Sequence, residues 1–265
     1  MTKTCYLRSL KIGTMIFTFL HGGQGLQFDT DAPLDISLPL LQGAETVNCF
    51  YAPLADFSPV VMGDFVGSTA QGGVVNFMNV RFNPHGNGTH TECVGHIARE
   101  PYTIRECLQT HHFVAKLVSI YPTRMEDGDR VILPHQLAEA IEAGEADALI
   151  VRTLPNDDGK KTRHYSNSNP PYIHHGGLQY LADCGIKHLL IDLPSVDREQ
   201  DGGKLSGHHA FWQYPAATRA DATITELIFV NNLVADGVYM LNLQIASFDL
   251  DASPSKPVLY RLLSV

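Results

Sequence analysis

A chain of 265 residues with 44% apolar and 18% charged content has the makeup of a globular protein, long enough to bury one sizeable core, about 70–75% of its unfolded surface. A net charge of −9 with no basic run excludes a phosphate-tracking nucleic-acid surface, and no stretch approaches the length of a membrane span. Five scattered cysteines (Cys5, Cys49, Cys93, Cys107 and Cys184), odd in number and without a C-x-x-C, exclude a disulfide framework and fit reduced thiols in a cytoplasm.

Lys3, Arg8 and Lys11 precede a mostly apolar run, residues 12–20, interrupted by Gly13, Thr14 and Thr18. It loosely resembles a secretory signal, but the run is short and His21-Gly22-Gly23 offers no cleavage site, so the expectation is a chain that is not exported. Residues 15–19 read as a first strand and 29–33 as a polar turn. Residues 1–32 are expected to be an extended or partly packed segment ahead of one domain, 33–265. Asp35-Ile-Ser-Leu-Pro-Leu-Leu is extended, and Pro39 places it at an edge or a strand end. Residues 42–74 show no period and carry Phe50, Tyr51, Phe57 and Phe65, a candidate pocket wall. Residues 73–82 alternate (Val74, Asn76, Met78, Val80, Phe82) and predict a strand running directly into the next stretch.

That stretch is 83–96, Asn-Pro-His-Gly-Asn-Gly-Thr-His-Thr-Glu-Cys-Val-Gly-His. Three histidines (His85, His90, His96) and Glu92 within fourteen residues ask for a metal, because neutral imidazole and carboxylate are the usual ligands of zinc and manganese. His90 and Glu92, two apart, share a face only on a strand. A turn at Gly95 would bring His96 back. His85 is out of phase with His90, and a bulge at Gly86 or Gly88 would correct it. A His-x-Glu pair also opens the zinc deaminase signature, but the required Pro-Cys-x-x-Cys is missing. Cys93 reads as a small, half-buried neighbour of the ligands rather than a nucleophile.

Downstream, 103–109 predicts a short helix with Thr103 as cap and Glu106 at capping-box spacing, followed by surface histidines His111 and His112. A strand is expected at 114–120, a turn at 127–129, a helix at 134–145 weakened by Gly144, and a buried strand at 148–152. Residues 154–172 form a loop, a candidate lid or substrate wall. A helix at 176–184 stops at Gly185, and a buried strand from His188 ends near Asp197. Two such strand–helix–strand units predict an α/β fold with parallel pairing, and functional groups in such sheets collect beyond the strands' carboxyl ends, at Asp197 and the glycine-rich loop 201–207. His208-His209 follows, then an apolar run holding Glu226, and final strands at 238–248 and 258–263.

Gly88-Thr89-His90-x-Glu92-x-x-x-His96 resembles the signature of the cyclase family of metal-dependent hydrolases, which includes bacterial kynurenine formamidases and isatin hydrolases and carries His-x-Gly-Thr-His-x-Asp-x-Pro-x-His. Asp35-Ile-Ser-x-Pro-Leu is similar to the family's N-terminal strand, and the stretch Gly185 to Asp197, His208, and Glu226 with Asn232-Leu233 to its later pieces in the same order, so about 33–263 is covered. The first motif histidine falls on Gly86, the aspartate on Glu92 and the proline on Val94.

The resemblance implies an α/β single domain with a mixed central β-sheet flanked by helices, of swivelling β/β/α type. It implies His90, Glu92 and the first-histidine position as principal ligands of zinc or manganese, with His96 as general base or ligand of a second metal. His208 and Glu226 would complete that region. The implied reaction is attack of a metal-activated water on an amide, formamide or cyclic amide of a small substrate, with Phe50 to Phe65 and Trp212 as an aromatic pocket, in a homodimer or homotetramer. His85 either replaces the missing ligand or leaves the site one short. The rival expectation is a non-catalytic member that binds a small molecule or a protein partner; a structural zinc site is disfavoured for want of cysteines.

Overall fold

The computed structural model describes residues 15–263; the basic residues Lys3, Arg8 and Lys11, with Cys5, lie outside them. Strand β1 (Ile16–His21) turns through Gly22 and Gly23, both in the left-handed region, into β2 (Gln24–Asp29). Then come β3 (Leu34–Asp35), β4 (Asp56–Pro59), β5 (Val61–Met62), β6 (Phe65–Val66), β7 (Met78–Arg81) and β8 (His90–Cys93). Helix α1 (Ile104–Cys107) leads to β9 (His112–Ile120), β10 (Thr123–Arg124) and β11 (Arg130–Ile132). Helix α2 (Pro134–Ala140), β12 (Ala148–Thr153), β13 (Tyr172–Ile173), α3 (His175–Asp183), β14 (His188–Ile191), α4 (Ser206–Trp212) and β15 (Thr223–Glu226) follow. Two long strands, β16 (Gly237–Ile245) and β17 (Ala252–Leu263), end the fold.

The sheet is mixed and closes on itself. Strands β9, β12, β14 and β15 are parallel, linked by crossovers through α2, α3 and α4. Antiparallel β16 and β17 continue past β9, and β8 lies antiparallel to both β15 and β17, which completes a seven-stranded barrel. Alternation sorts the side chains. Ala115, Leu117, Ala148, Ile150, Leu190 and Leu241 fill the interior, while Leu149, Val151, Leu189, Ile191 and Ile224 pack outward beneath Leu137, Leu178, Phe211 and Trp212 of the helices. All six residues of β12 are buried, which is why Ala-Leu-Ile-Val-Arg-Thr shows no polar face. Among the described residues no helix is long and apolar enough to cross a membrane.

Several expectations need correction. The helix over 134–145 stops at Ala140; Ile141 is extended and Gly144 adopts a φ of 78°. The capping box at Thr103 does not form, and the Thr103 hydroxyl is buried without a hydrogen-bond partner. The alternating stretch 73–82 yields only β7, which pairs with β4 in a separate two-stranded sheet. The apolar run that holds Glu226, left without an assigned element, forms a strand up to Glu226, and Leu227 then turns the chain at a φ of 56°.

Candidate metal centre

Register places the site on the outer face of the β8–β15 pair. Glu226 stands opposite His90 and Ile224 opposite Glu92, so His90, Glu92 and Glu226 share one face. On the other face the Thr91 and Thr225 hydroxyls hydrogen-bond each other at 2.8 Å. Cys93 also points away from the site; it is fully buried rather than half-buried, and hydrogen bonding with Cys107 together with burial pushes its thiol up. Thr89 ties the motif down: its hydroxyl donates to Leu227 O at 2.5 Å and accepts from Leu38 N at 2.7 Å.

His85 reaches this face from a turn, not from a bulged strand. Asn83 and Asn87 lock the turn, Asn83 N donating to Asn87 Oδ1 at 2.7 Å and Gly86 N to Asn83 Oδ1 at 3.0 Å. Gly86 itself has no room for a side chain, since a Cβ there would stand 2.2 Å from the Ala52 Cβ. The histidine has therefore moved one residue back. Its Nδ1 lies 3.1 Å from Glu92 Oε2, and its Nε2 donates to Asp251 Oδ2 at 2.9 Å. His96 returns through a one-turn 3-10 helix, Val94–His96, and its Nδ1 donates to the same Asp251 oxygen at 3.2 Å. Gly95 is obligatory in that turn, because a Cβ would meet Tyr102 O at 2.1 Å.

From α4, His208 donates Nδ1–H to Asp197 Oδ2 at 2.6 Å and turns Nε2 to Glu92 Oε1 at 3.1 Å. Asp197 also accepts the Gly207 and His208 backbone N–H groups, which fixes the helix start that carries the ring. The carboxylate one methylene longer than the motif's aspartate is thus the hub: Oε1 meets His208 and Oε2 meets His85. The structure brings His85, His90, Glu92, His96, His208 and Glu226 to one place. Asp251, contributed by the segment before β17, was not foreseen, because nothing in the motif points 155 residues downstream.

Charge follows from these contacts. Burial alone would raise Glu92, but His96, His208 and His85 outweigh it and hold its carboxyl well below the ordinary value. Burial opposes the imidazolium form of His85, yet Asp251 and Glu92 push it up to about 10; Asp197 and Glu92 do the same for His208. Hydrogen bonds from His85 and His96 lower Asp251. Burial, then the Glu92 charge, raises Glu226, whose Oε1 accepts from Val196 N at 3.0 Å.

The donor set suits a divalent metal on a structural ground. His90 donates Nδ1–H to Gly88 O at 3.0 Å, leaving an Nε2 lone pair 3.4 Å from Glu226 Oε2. His85 Nδ1 and His208 Nε2 also face Glu92 oxygens at 3.1 Å each; their raised pKa means that a proton fills these two gaps, and a divalent cation would take its place. His90 Nε2 is buried with no hydrogen-bond partner, and Glu92 Oε2 has only the close contact to His85. Lone pair facing lone pair at such range is unfavourable unless a proton or a cation lies between, and ligands of one zinc stand roughly 3–3.5 Å apart. Among the described residues two groups, His85–Glu92–His96 and His90–Glu92–Glu226, have ligand atoms mutually within 4.8 Å, somewhat wider than that spacing, and share Glu92.

A cleft of about 570 Å³ opens onto the centre, and Phe50, Tyr51, Asp197, Arg198, His96 and His208 are among its walls. Phe50 and Tyr51 both sit in the left-handed region, and Ser166 Oγ holds Tyr51 N at 2.8 Å. The 154–172 loop therefore buttresses the wall from behind; its Lys160 is buried and pinned to Asp192. Trp212 does not line the cleft: it is fully buried, with its ring centroid 5.4 Å from that of His208 and its indole N–H on Ala222 O. Of the other expected aromatics, Phe57 lies on β4 and Phe65 on β6, outside the cleft lining.

Comparison with known proteins gives a consistent picture. The model of the Cyclase family matches residues 34–198. A solved structure described as a potential metal-dependent hydrolase with cyclase activity superposes with a TM-score of 0.62 at 16% identity, over 86% of this chain and 97% of that one. Isatin hydrolase A from Labrenzia aggregata, bound to benzyl benzoate, gives 0.62 at 14% identity, over 86% and 93%. Isatin hydrolase A from Ralstonia solanacearum gives 0.63 at 11% identity, over 88% and 92%. At these identities the likeness concerns the fold. No curated protein matches the chain.

Proposed function

The chain belongs to the Cyclase family, and from that premise we propose that it is a metal-dependent hydrolase that cleaves the C–N bond of a small amide, formamide or cyclic amide, with an aromatic substrate favoured. The observation that carries this reading is the buried His90 Nε2, without a hydrogen-bond partner and 3.4 Å from Glu226 Oε2, beside His85 and His208 gathered on the buried Glu92 carboxylate. His85, His90, Glu92 and Glu226 would hold the metal, zinc or manganese, with His96 and His208 beside it. A bound divalent ion supplies Lewis acidity and lowers the pKa of water toward about 7.

The chain's own groups then divide the work. Asp251 fixes the His96 tautomer, so Nε2 is the free acceptor on the cleft side. His96 takes a proton from the attacking water and returns it to the leaving nitrogen, a task suited to imidazole near neutrality. Asp197 orients His208. Phe50 and Tyr51 offer a flat apolar wall, and the Arg198 guanidinium, held by Asp129, faces the cleft as a donor to a substrate carbonyl. The cyclic-amide class is taken from the isatin hydrolases that share the fold.

The test has two arms. Metal content is measured by mass spectrometry on protein purified without chelator, for the parent and for His85→Ala and His90→Ala. Turnover is then screened on N-formyl anilines and cyclic amides with added zinc or manganese. Near-stoichiometric metal lost in both variants, with hydrolysis by the parent, is the expected result. Full occupancy and activity in His90→Ala would falsify the ligand assignment. A parent that takes up no metal and turns over nothing is a binding protein instead.

A further inference from the structure

The barrel has a second mouth, at the amino ends of its parallel strands and away from the metal centre. Phe113 lies at the start of β9, Asp147 just before β12, His188 at the start of β14 and Asp221 just before β15. All four line one cavity of about 660 Å³, against about 570 Å³ for the cleft at the metal centre. Small-molecule sites run from about 300 to 1,000 Å³ and favour the mouths of barrels. Glu226 lies three residues beyond Thr223, the first residue of β15, or about 10 Å along a strand, so the two openings are at opposite ends. His188 singles this mouth out. It is 3% exposed, its Nδ1 pairs with the Thr223 hydroxyl at 2.9 Å, and its ring packs on Phe113. Its Nε2 takes no hydrogen bond among the described residues and looks into the cavity. A desolvated ring nitrogen needs a partner, and the chain supplies none.

We propose that this cavity binds a small amine with a flat aromatic body, its nitrogen donating to His188 Nε2 and its charge met by the acidic lining. The site is independent of the hydrolase reading. Charge selects the ligand. Glu106, Asp147 and Asp221 line the cavity, and its one Lys or Arg, Lys187, is already paired with Asp221. An anion would find its cation taken. Asp147 gives Oδ2 to the Val114 N–H at 3.1 Å, which leaves Oδ1 for an ammonium group. Burial holds the His188 pKa down to about 3, so the ring is neutral and does not repel a cation. With Nδ1–H donated to Thr223 Oγ1, Nε2 is the acceptor. Phe113 and Tyr102 supply aromatic faces for the flat body and for the cation. A bare metal ion does not fit, because among the described residues no three donors of this lining lie mutually within 4.8 Å.

The test is calorimetric titration of the full chain with phenethylamine near neutral pH, beside its acidic counterpart phenylacetate. Two variants alter the cavity: Asp147→Asn removes the free carboxylate, and Ala220→Lys puts a bulky cation on the wall. A third, Tyr51→Ala, alters only the cleft at the metal centre. One phenethylamine is expected to bind per chain with a Kd of about 1 mM or tighter, and phenylacetate not to bind. Affinity should fall at least about 10-fold in both cavity variants and stay at the parental value in Tyr51→Ala. No binding by the parent, equal binding of phenylacetate, parental affinity in Ala220→Lys, or loss in Tyr51→Ala overturns the proposal. Should the cavity variants misfold, iodoacetamide labelling of the parent decides, since the half-buried Cys107 lines this cavity. Slower alkylation of Cys107 at saturating phenethylamine, with Cys184 unaffected, supports the site; an unchanged Cys107 rate overturns it.

Discussion

Two buried ionic clusters sit on the barrel, one past the carboxyl ends of the parallel β12 and β14 and one on the outer face of the antiparallel β8–β15 pair, and they differ in one respect. After β12 and β14, Lys160 Nζ donates to Asp192 Oδ2 at 2.8 Å and to Thr153 O and Oγ1, while Thr153 N and Oγ1 fill the remaining Asp192 lone pairs. Every charge there has its partners inside the protein. On β8 and β15 the pairing is incomplete: His90 Nε2 is buried without a hydrogen-bond partner, 3.4 Å from Glu226 Oε2, and Glu92 Oε2 has only the ion contact to His85 at 3.1 Å. Burial and charge alone do not mark a functional site, since both clusters have them. What marks it is the polar group that the fold desolvates and leaves unsatisfied.

The largest effect expected from this contrast is on stability. Lys160→Met leaves the Asp192 carboxylate buried and unpaired, and should cost about 3–5 kcal/mol by urea denaturation. Metal uptake by the folded variant should match the parent. A Lys160→Met protein of parental stability, or one that selectively loses metal, would erase the distinction between the two clusters.

The same distinction explains what the sequence could and could not reveal. His90 and Glu92 were legible because alternation on a strand is a local rule, Gly185 and Asp197 followed from the strand–helix punctuation, and His208 came only from the family resemblance. The parallel units were legible from continuous apolar runs such as Ala148 to Arg152. The closure of the barrel was not, because it depends on β17 bending to pair with β3 and β8 as well as with β16, a long-range choice without a local signature. The route of His85 was half legible: its phase error was visible, but the turn that corrects it depends on Ala52 occupying the space beside Gly86. Residues 73–82 showed strand alternation, yet only the β4 register reveals that the strand leaves the main sheet.

Asp251 gives an effect of intermediate size. It touches neither unsatisfied atom; it accepts from His85 Nε2 and His96 Nδ1 and so aims both rings. Second partners of this kind are worth about 10–100-fold in metal affinity. Asp251→Asn should weaken zinc binding by that factor in a competition titration with a chromogenic chelator. A shift in apo-protein unfolding with no change in affinity would reduce Asp251 to an ordinary surface ion pair.

The smallest effect sharpens the comparison at the far end of β14. His188 is as buried as His208, but its neighbours are the Thr223 hydroxyl, 2.9 Å from Nδ1, and the Phe113 ring, 3.9 Å between centroids, with no carboxylate on it. Burial, helped by Lys187, drives its pKa down to about 3, whereas Asp197 and Glu92 drive that of His208 up. The unfolded chain titrates near 6.5, so between about 6.5 and 3 it binds a proton at this position that the folded chain refuses. Stability from His188 is therefore complete above 6.5 and falls with acidification, by at most about 1.4 kcal/mol per pH unit. The urea midpoint of the parent should drop more steeply between pH 7 and pH 4.5 than that of His188→Asn, which keeps a hydrogen-bonding group for Thr223 but cannot be protonated. Parallel slopes would mean that His188 opens to solvent and is not held neutral by burial.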